Sequence, residues 1–159
     1  MLILLNGLFA MSEIALVTAK RSRLARLADD GNRNARAALR LADEPTRLLS
    51  TVQIGITSIG ILSGIVGEAA LAQPLSEWLQ QLGLSPRHSA FGATVLVVVV
   101  VTYVAIVIGE LVPKRVGQLN PERIALIMAQ PMRLLATVAR PFVQLLSVST
   151  GLLLRVLGL

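Results

Sequence analysis

Apolar positions along the chain fall into three long runs, separated by stretches in which apolar and charged residues alternate with helical period. The first run is MLILLNGLFAMSEIALVTA, residues 1–19. The second, about 47–72, includes LLSTVQIGITSIGILSGIVGEAALA, and the third, about 90–112, includes FGATVLVVVVVTYVAIVIG. Each approaches or passes the roughly 20 residues that cross a bilayer as a helix. The first is the shortest. It has no basic segment ahead of its apolar core, so it reads as a transmembrane helix rather than a signal peptide.

The intervening residues read differently. Over 20–44, Leu24, Leu27 and Ala28 continue a helical stripe from Leu16. After the turn signal Asp29-Asp30-Gly31-Asn32, the positions Ala35, Ala38, Leu39 and Ala42 repeat it, with arginines on the opposite face. Two short amphipathic helices on a membrane surface fit this pattern, and so does a soluble helical hairpin packed on another domain. Residues 73–89 carry Pro74, Gly83 and Pro86 and read as an outer loop. Over 121–159, Pro131 and Pro141 read as breaks. The longest uncharged run there, Pro141 to Leu154, is 14 residues, which suits an interfacial or re-entrant helix better than a fourth span.

Composition supports the bilayer as solvent: 54% of residues are hydrophobic and mean hydropathy is +0.72. The aromatic belt is thin, with Trp78 and Tyr103. Net charge is +6, and its placement decides what it means. Eight basic residues lie between the first two runs, six follow the third, and Arg87 alone lies between the second and third. That asymmetry is the positive-inside pattern, with anionic lipid headgroups as partner of the basic stretches. Nucleic acid is not a predicted partner, because no base-stacking aromatics accompany the arginines. With no cysteine and the single His88, Cys-based and His-based metal sites are excluded. The expected fold is an all-α membrane protein. Residues 1–159 form a single transmembrane domain with spans at about 1–19, 47–72 and 90–112 and amphipathic belt helices at about 20–44 and 121–159. The N-terminus is outside and the C-terminus cytoplasmic.

The candidate chemistry sits at the end of the third run, in VIGELVPKRVGQLNP. Pro113 cannot donate an N–H and clashes with the carbonyl four residues back, that of Gly109. A released backbone oxygen beside the Glu110 carboxylate is therefore predicted. Glu13 lies beside Ser12 in the first run, and the second run offers Gln53, Thr57 and glycine-exposed carbonyls. This inventory is oxygen only, which suits Mg²⁺, Ca²⁺ or Na⁺. Lys114 can neutralise an empty carboxylate and be displaced by an entering cation. Two readings stand for Glu110: an ion site, since intramembrane acids mark ion pathways, or a structural residue paired with Lys114 or Arg115 at the interface. For Glu13 the structural reading leads. No nucleophile–base arrangement or phosphate-cradling loop points to an enzyme.

The stretches NGLFAMSEIALVTAKRSRL, STVQIGITSIGILSG and GELVPKRVGQLNPERIA, in this order and spacing, closely resemble the transmembrane domain of the CNNM/CorC family, which is linked to Mg²⁺ transport. The resemblance implies three transmembrane helices with a juxtamembrane helical belt, a homodimer, and a place in the bacterial inner (plasma) membrane. It implies Mg²⁺ export coupled to Na⁺ entry through an inward-facing cavity. Ser12 matches the family's hydroxyl residue in the first helix, Gly55 falls in the second-helix motif, and Glu110, Pro113 and Lys114 match the third-helix motif. Gly109 and Thr57 join them as candidate metal ligands, with Glu13, Gln53, Pro113 and Lys114 as supporting or gating residues.

Two departures from the pattern matter. Many members read Q-I-G-N in the second helix, where the asparagine helps hold the ion; here Ile56 follows Gly55. Thr57 or the Gly55 carbonyl would then compensate, or the cargo differs, a polyamine for example. Family members also continue into paired CBS domains that bind nucleotide. None follows in these residues, so an isolated membrane domain is expected, with any nucleotide acting only through such absent domains. The competing function is a non-transporting dimeric membrane anchor or regulator for cytoplasmic sensor domains.

Overall fold

The computed structural model describes residues 1–158. No strand occurs among them; the chain runs through eight α-helices and one π-helical turn. These are α1 (Leu2–Thr18), α2 (Arg21–Asp29), α3 (Arg33–Asp43), α4 (Pro45–Gln81), α5 (Pro86–Ile106), the π-turn (Val107–Leu111), α6 (Val112–Leu119), α7 (Pro121–Val138) and α8 (Arg140–Val156). Two helical stretches are long and apolar enough to cross a membrane: Pro45–Gln81, and Pro86–Leu119 through the π-turn. Two bent pairs bring the count to as many as four. They are α1 with α2, bent by 89°, and α7 with α8, bent by 62°.

Several expected boundaries differ. Pro74 lies inside α4 and Pro131 inside α7, so neither ends a helix. A mid-helix proline costs about 3 kcal/mol, but the neighbours of Pro74 in EAALAQPLSEWLQQ are strong helix formers that carry the helix through it. The loop expected at 73–89 shrinks to the residues between Gln81 and Pro86. Pro141 acts as expected, in the first turn of α8, where its missing N–H costs nothing.

The chain divides into two compact units. The first comprises Met1–Ala10 and Gly55–Arg115. Here most of α4 and α5 and the start of α1 carry large apolar side chains that remain exposed, among them Leu4, Ile61, Ile65, Val99 and Tyr103. The interior is built from small residues: a Cβ added at Gly67 would meet Val101 Cγ2 at 2.8 Å. Glycines let transmembrane helices approach this closely.

The second unit comprises Met11–Ile54 and Val116–Leu159. Its core is rich in alanine. Ala28, Ala35, Ala38, Ala125 and Ala129 are buried with Leu24, Leu41 and Leu48, where α3 packs on both α2 and α7. The expected stripe on α3 is broader than its periodicity indicated. Ala37 and Leu41 are also buried, and Leu39 and Ala42 only half-buried, because α3 serves two neighbours. The turn into α3 is built by its sequence. Gly31 takes φ +91°, and the N–H groups of Gly31 and Asn32 donate back to the carbonyls of Ala28 and Leu27, the Schellman closure of α2. Asn32 then caps α3, its side-chain oxygen accepting from the N–H of Asn34 and Ala35. Arg33, Arg36 and Arg40 occupy the exposed face.

At Gly117 in α6 there is no room for a side chain: a Cβ would lie 2.8 Å from the Met11 carbonyl oxygen, a backbone atom that cannot step aside. Gly117→Ala is therefore expected to destabilise by about 1–3 kcal/mol. Gly151→Ala, in open space on α8, should be neutral or slightly stabilising, since alanine is the better helix former. Thermal unfolding of both variants in the same detergent checks this; equal midpoints would refute the close packing.

Candidate functional site

The site grows from Pro113. With no N–H to give, it cannot continue the ordinary i→i−4 ladder, and the chain answers by widening. Residues Val107–Leu111 form the π-turn, closed by the Val112 N–H donating to the Val107 carbonyl five residues back. Such single π-turns inside helices are frequent at functional sites. The Gly109 carbonyl is taken up by another helix: Asn6 Nδ2, on α1, donates to it at 3.1 Å. Close approach makes this possible. A Cβ at Gly109 would lie 3.2 Å from Asn6 Nδ2 and 3.3 Å from the Ile3 carbonyl oxygen, and one at Gly7 would lie 2.9 Å from Pro113 Cγ.

Glu110 follows at once in the chain. Its Oε1 accepts from Lys114 Nζ at 2.8 Å, and both side chains are about one-third exposed, at 36% and 32%. Glu110 also lines a cavity of about 250 Å³ within the first unit. On α4 the wall is Ile56, Gly60 and Gly64, four residues apart; on α5 it includes Val101 and Ala105; Asn6 closes it from α1. The wall is mostly apolar. Glu110, Asn6 and Thr102 supply its polar side chains.

The other sequence-predicted residues are distributed as follows. Gly55 is half-buried against the ring of Phe9, with a Cβ position 3.3 Å from Phe9 Cε2. Thr57 is exposed, and neither residue is among those lining the cavity. Gly109 is buried beside Asn6 and Ile3, with its carbonyl turned to Asn6. Ser12, fully buried, half-buried Glu13 and exposed Gln53 belong to the second unit. Among the described residues no group of three or more His, Cys, Asp or Glu side chains is placed to hold a metal ion. A cation at this cavity would meet one carboxylate and neutral oxygens.

Two residues escaped the sequence reading. Asn6 is a polar side chain within the apolar run LILLNGLFA, and that alone was a signal. Its partner 103 positions away was not legible. Glu68, near the Gly67–Val101 contact on α4, accepts a long hydrogen bond from Thr94 Oγ1 at 3.5 Å. An acid in the second run carried the same weight as Glu110 by the rule for intramembrane charges.

Comparison with known proteins identifies the family. The family model described as the cyclin M transmembrane N-terminal domain matches residues 1–159. The chain is 47% identical over 158 residues to the UPF0053 protein sll0260 of Synechocystis, covering 99% of this chain and 35% of that protein. It is 35% identical over 158 residues to YhdT of Bacillus subtilis, covering 34% of that protein. It is also 35% identical over 158 residues to the polyamine export protein of Escherichia coli K12, covering 35% of it. The chain thus spans about a third of the length of the curated relatives it matches.

The ion pair gives a first prediction. Lys114→Met leaves Glu110 without its counter-charge in apolar surroundings, whereas Glu110→Gln with Lys114→Met removes both charges. The single variant should lose about 1 kcal/mol, an interior value discounted for the pair's partial exposure. The double variant should recover most of it. A thermal-unfolding double-mutant cycle measures this; strictly additive losses would show that the pair is not coupled.

Proposed function

Because the chain belongs to the cyclin M (CNNM) transmembrane family, whose model covers it from end to end, we propose that it forms the membrane path of a bacterial cation exporter. The observation that carries this is the Glu110–Lys114 pair, held at 2.8 Å at a π-turn within a long apolar helix, with Glu110 lining a cavity. With the cavity empty, the Lys114 ammonium neutralises Glu110. An entering cation takes the carboxylate and releases Lys114, so a charge is never left alone in apolar surroundings. The cargo in this reading is Mg²⁺, exported against Na⁺ entry. The Glu110 carboxylate at the cavity, completed by retained water, suits that ion's reluctance to dehydrate. Pro113 supports it by setting the π-turn in which Glu110 sits.

In the same reading α1, α4 and the α5–α6 helix are the three spans, in the bacterial inner membrane. The N-terminus is outside and the cavity opens inward. The arginine faces of α2 and α3 lie on anionic headgroups, and two chains assemble as a homodimer. Nucleotide would act only through cytoplasmic domains in the remaining length of such proteins.

A second reading, a polyamine as cargo, has its own support. Ile56 and the α4 glycines make an apolar wall leading to a single carboxylate, which suits an ammonium on a methylene chain. A relative covering the same residues is named a polyamine export protein.

Calorimetric titration of Mg²⁺ into the purified protein in nanodiscs, with Na⁺ and putrescine as competitors, tests both. Saturable binding is expected, weakened by Glu110→Ala some thirtyfold or more, equivalent to about 2 kcal/mol for loss of a charged ligand. Stronger competition by putrescine than by Na⁺ would move the cargo to the second reading. No binding of any of these cations would make Glu110 a structural residue, and the chain a membrane anchor.

A further inference from the structure

Asn6 is 7% exposed. Its amide nitrogen is committed to the Gly109 carbonyl, and its oxygen, Oδ1, is buried with no hydrogen-bond partner. The amide cannot be turned over to escape this. That would set Oδ1 against the Gly109 oxygen, two acceptors face to face, and leave the nitrogen unpaired. A buried amide oxygen without a partner costs about 1–3 kcal/mol. An apolar side chain there would carry no such cost. An orphaned oxygen in such a place calls for an explanation, and the cavity supplies one, since Asn6 and Glu110 line the same wall.

We propose that Asn6 Oδ1 is a direct ligand of the transported cation, completing with the Glu110 carboxylate a two-residue cradle contributed by α1 and the π-turn. This rests on the cation-exporter reading above. The orphaned oxygen is a ligand waiting for a positive charge. A dipolar amide oxygen, neutral and short, discriminates among cations without raising the site's charge, while Glu110 supplies the charge. The hydrogen bond to Gly109 holds the amide in the orientation that keeps Oδ1 free. The turn that Pro113 forces thereby orients a second ligand as well as placing Glu110.

Two variants separate this from a purely structural role for the amide. Asn6→Leu removes the oxygen and the N–H together. Asn6→Asp keeps an oxygen ligand, adds charge, and loses the N–H that reaches Gly109. Mg²⁺ and putrescine are titrated into the protein in nanodiscs, with the parent and Glu110→Ala as references. The expected result is a loss of about tenfold or more in Mg²⁺ affinity for Asn6→Leu. For Asn6→Asp, which loses the hold on Gly109 but keeps an oxygen at the site, Mg²⁺ affinity falls clearly less than in Asn6→Leu, with a shift of preference toward Mg²⁺ over putrescine, because ligand charge favours the compact dication. If Asn6→Asp weakens binding as much as Asn6→Leu, the N–H is what matters, and the ligand role is overturned. Unchanged affinity in Asn6→Leu overturns it equally, with the exporter reading left standing so long as Glu110→Ala abolishes binding. A parent protein that binds neither cation would fail the exporter reading first, and this proposal with it.

Discussion

One missing hydrogen governs the first unit. Pro113 has no N–H, and in an apolar solvent each backbone carbonyl still requires a donor. The chain meets this by widening into a π-turn and by lending the Gly109 carbonyl to a side chain on α1. Much of the local design follows from that loan. Glycine at 109 and at 7 lets the two helices come close enough for an amide to reach a backbone oxygen. Glu110 sits inside the turn, and Lys114, one residue past the proline, still reaches it. The proline, the glycines, the acid and the lysine form a single device, in which no member has the same reason to be there without the others.

The second unit solves a different problem with similar means. Its helices carry arginine on one face and alanine on the other, and alanine lets α2, α3 and α7 pack closely with little side-chain entropy lost. The arginines stay exposed and are held loosely. Arg21 bridges to Asp43 at 2.8 Å, both largely in solvent, where such a pair contributes at most about 1 kcal/mol, and Arg23 reaches the half-buried Glu122 at 3.6 Å. The packing holds this unit together, and the charge faces outward to whatever surface adjoins it.

Prolines show where local reading succeeds and where it fails. Pro113 and Pro141 act as their chemistry dictates. Pro74 and Pro131 sit within continuous helices, because the helix-forming residues around them outweigh one lost hydrogen bond. No single residue type punctuates a helix irrespective of its neighbours.

By itself the sequence determined that the chain is helical, roughly where its longest apolar helices run, and that Lys114 lies within reach of Glu110. Those properties depend on residues close in the chain: an apolar run, a helical stripe, a proline four residues after a carbonyl, a lysine four after a glutamate. The family followed from the same motifs in order. Tertiary structure alone decided what receives the Gly109 carbonyl, which residues share a cavity with Glu110, and that Gly55 and Thr57 do not line it. Each of these depends on which helix face meets which across scores of residues. A side chain such as Asn6 shows its polarity in the sequence, but not the partner that makes its nitrogen satisfied and its oxygen bare.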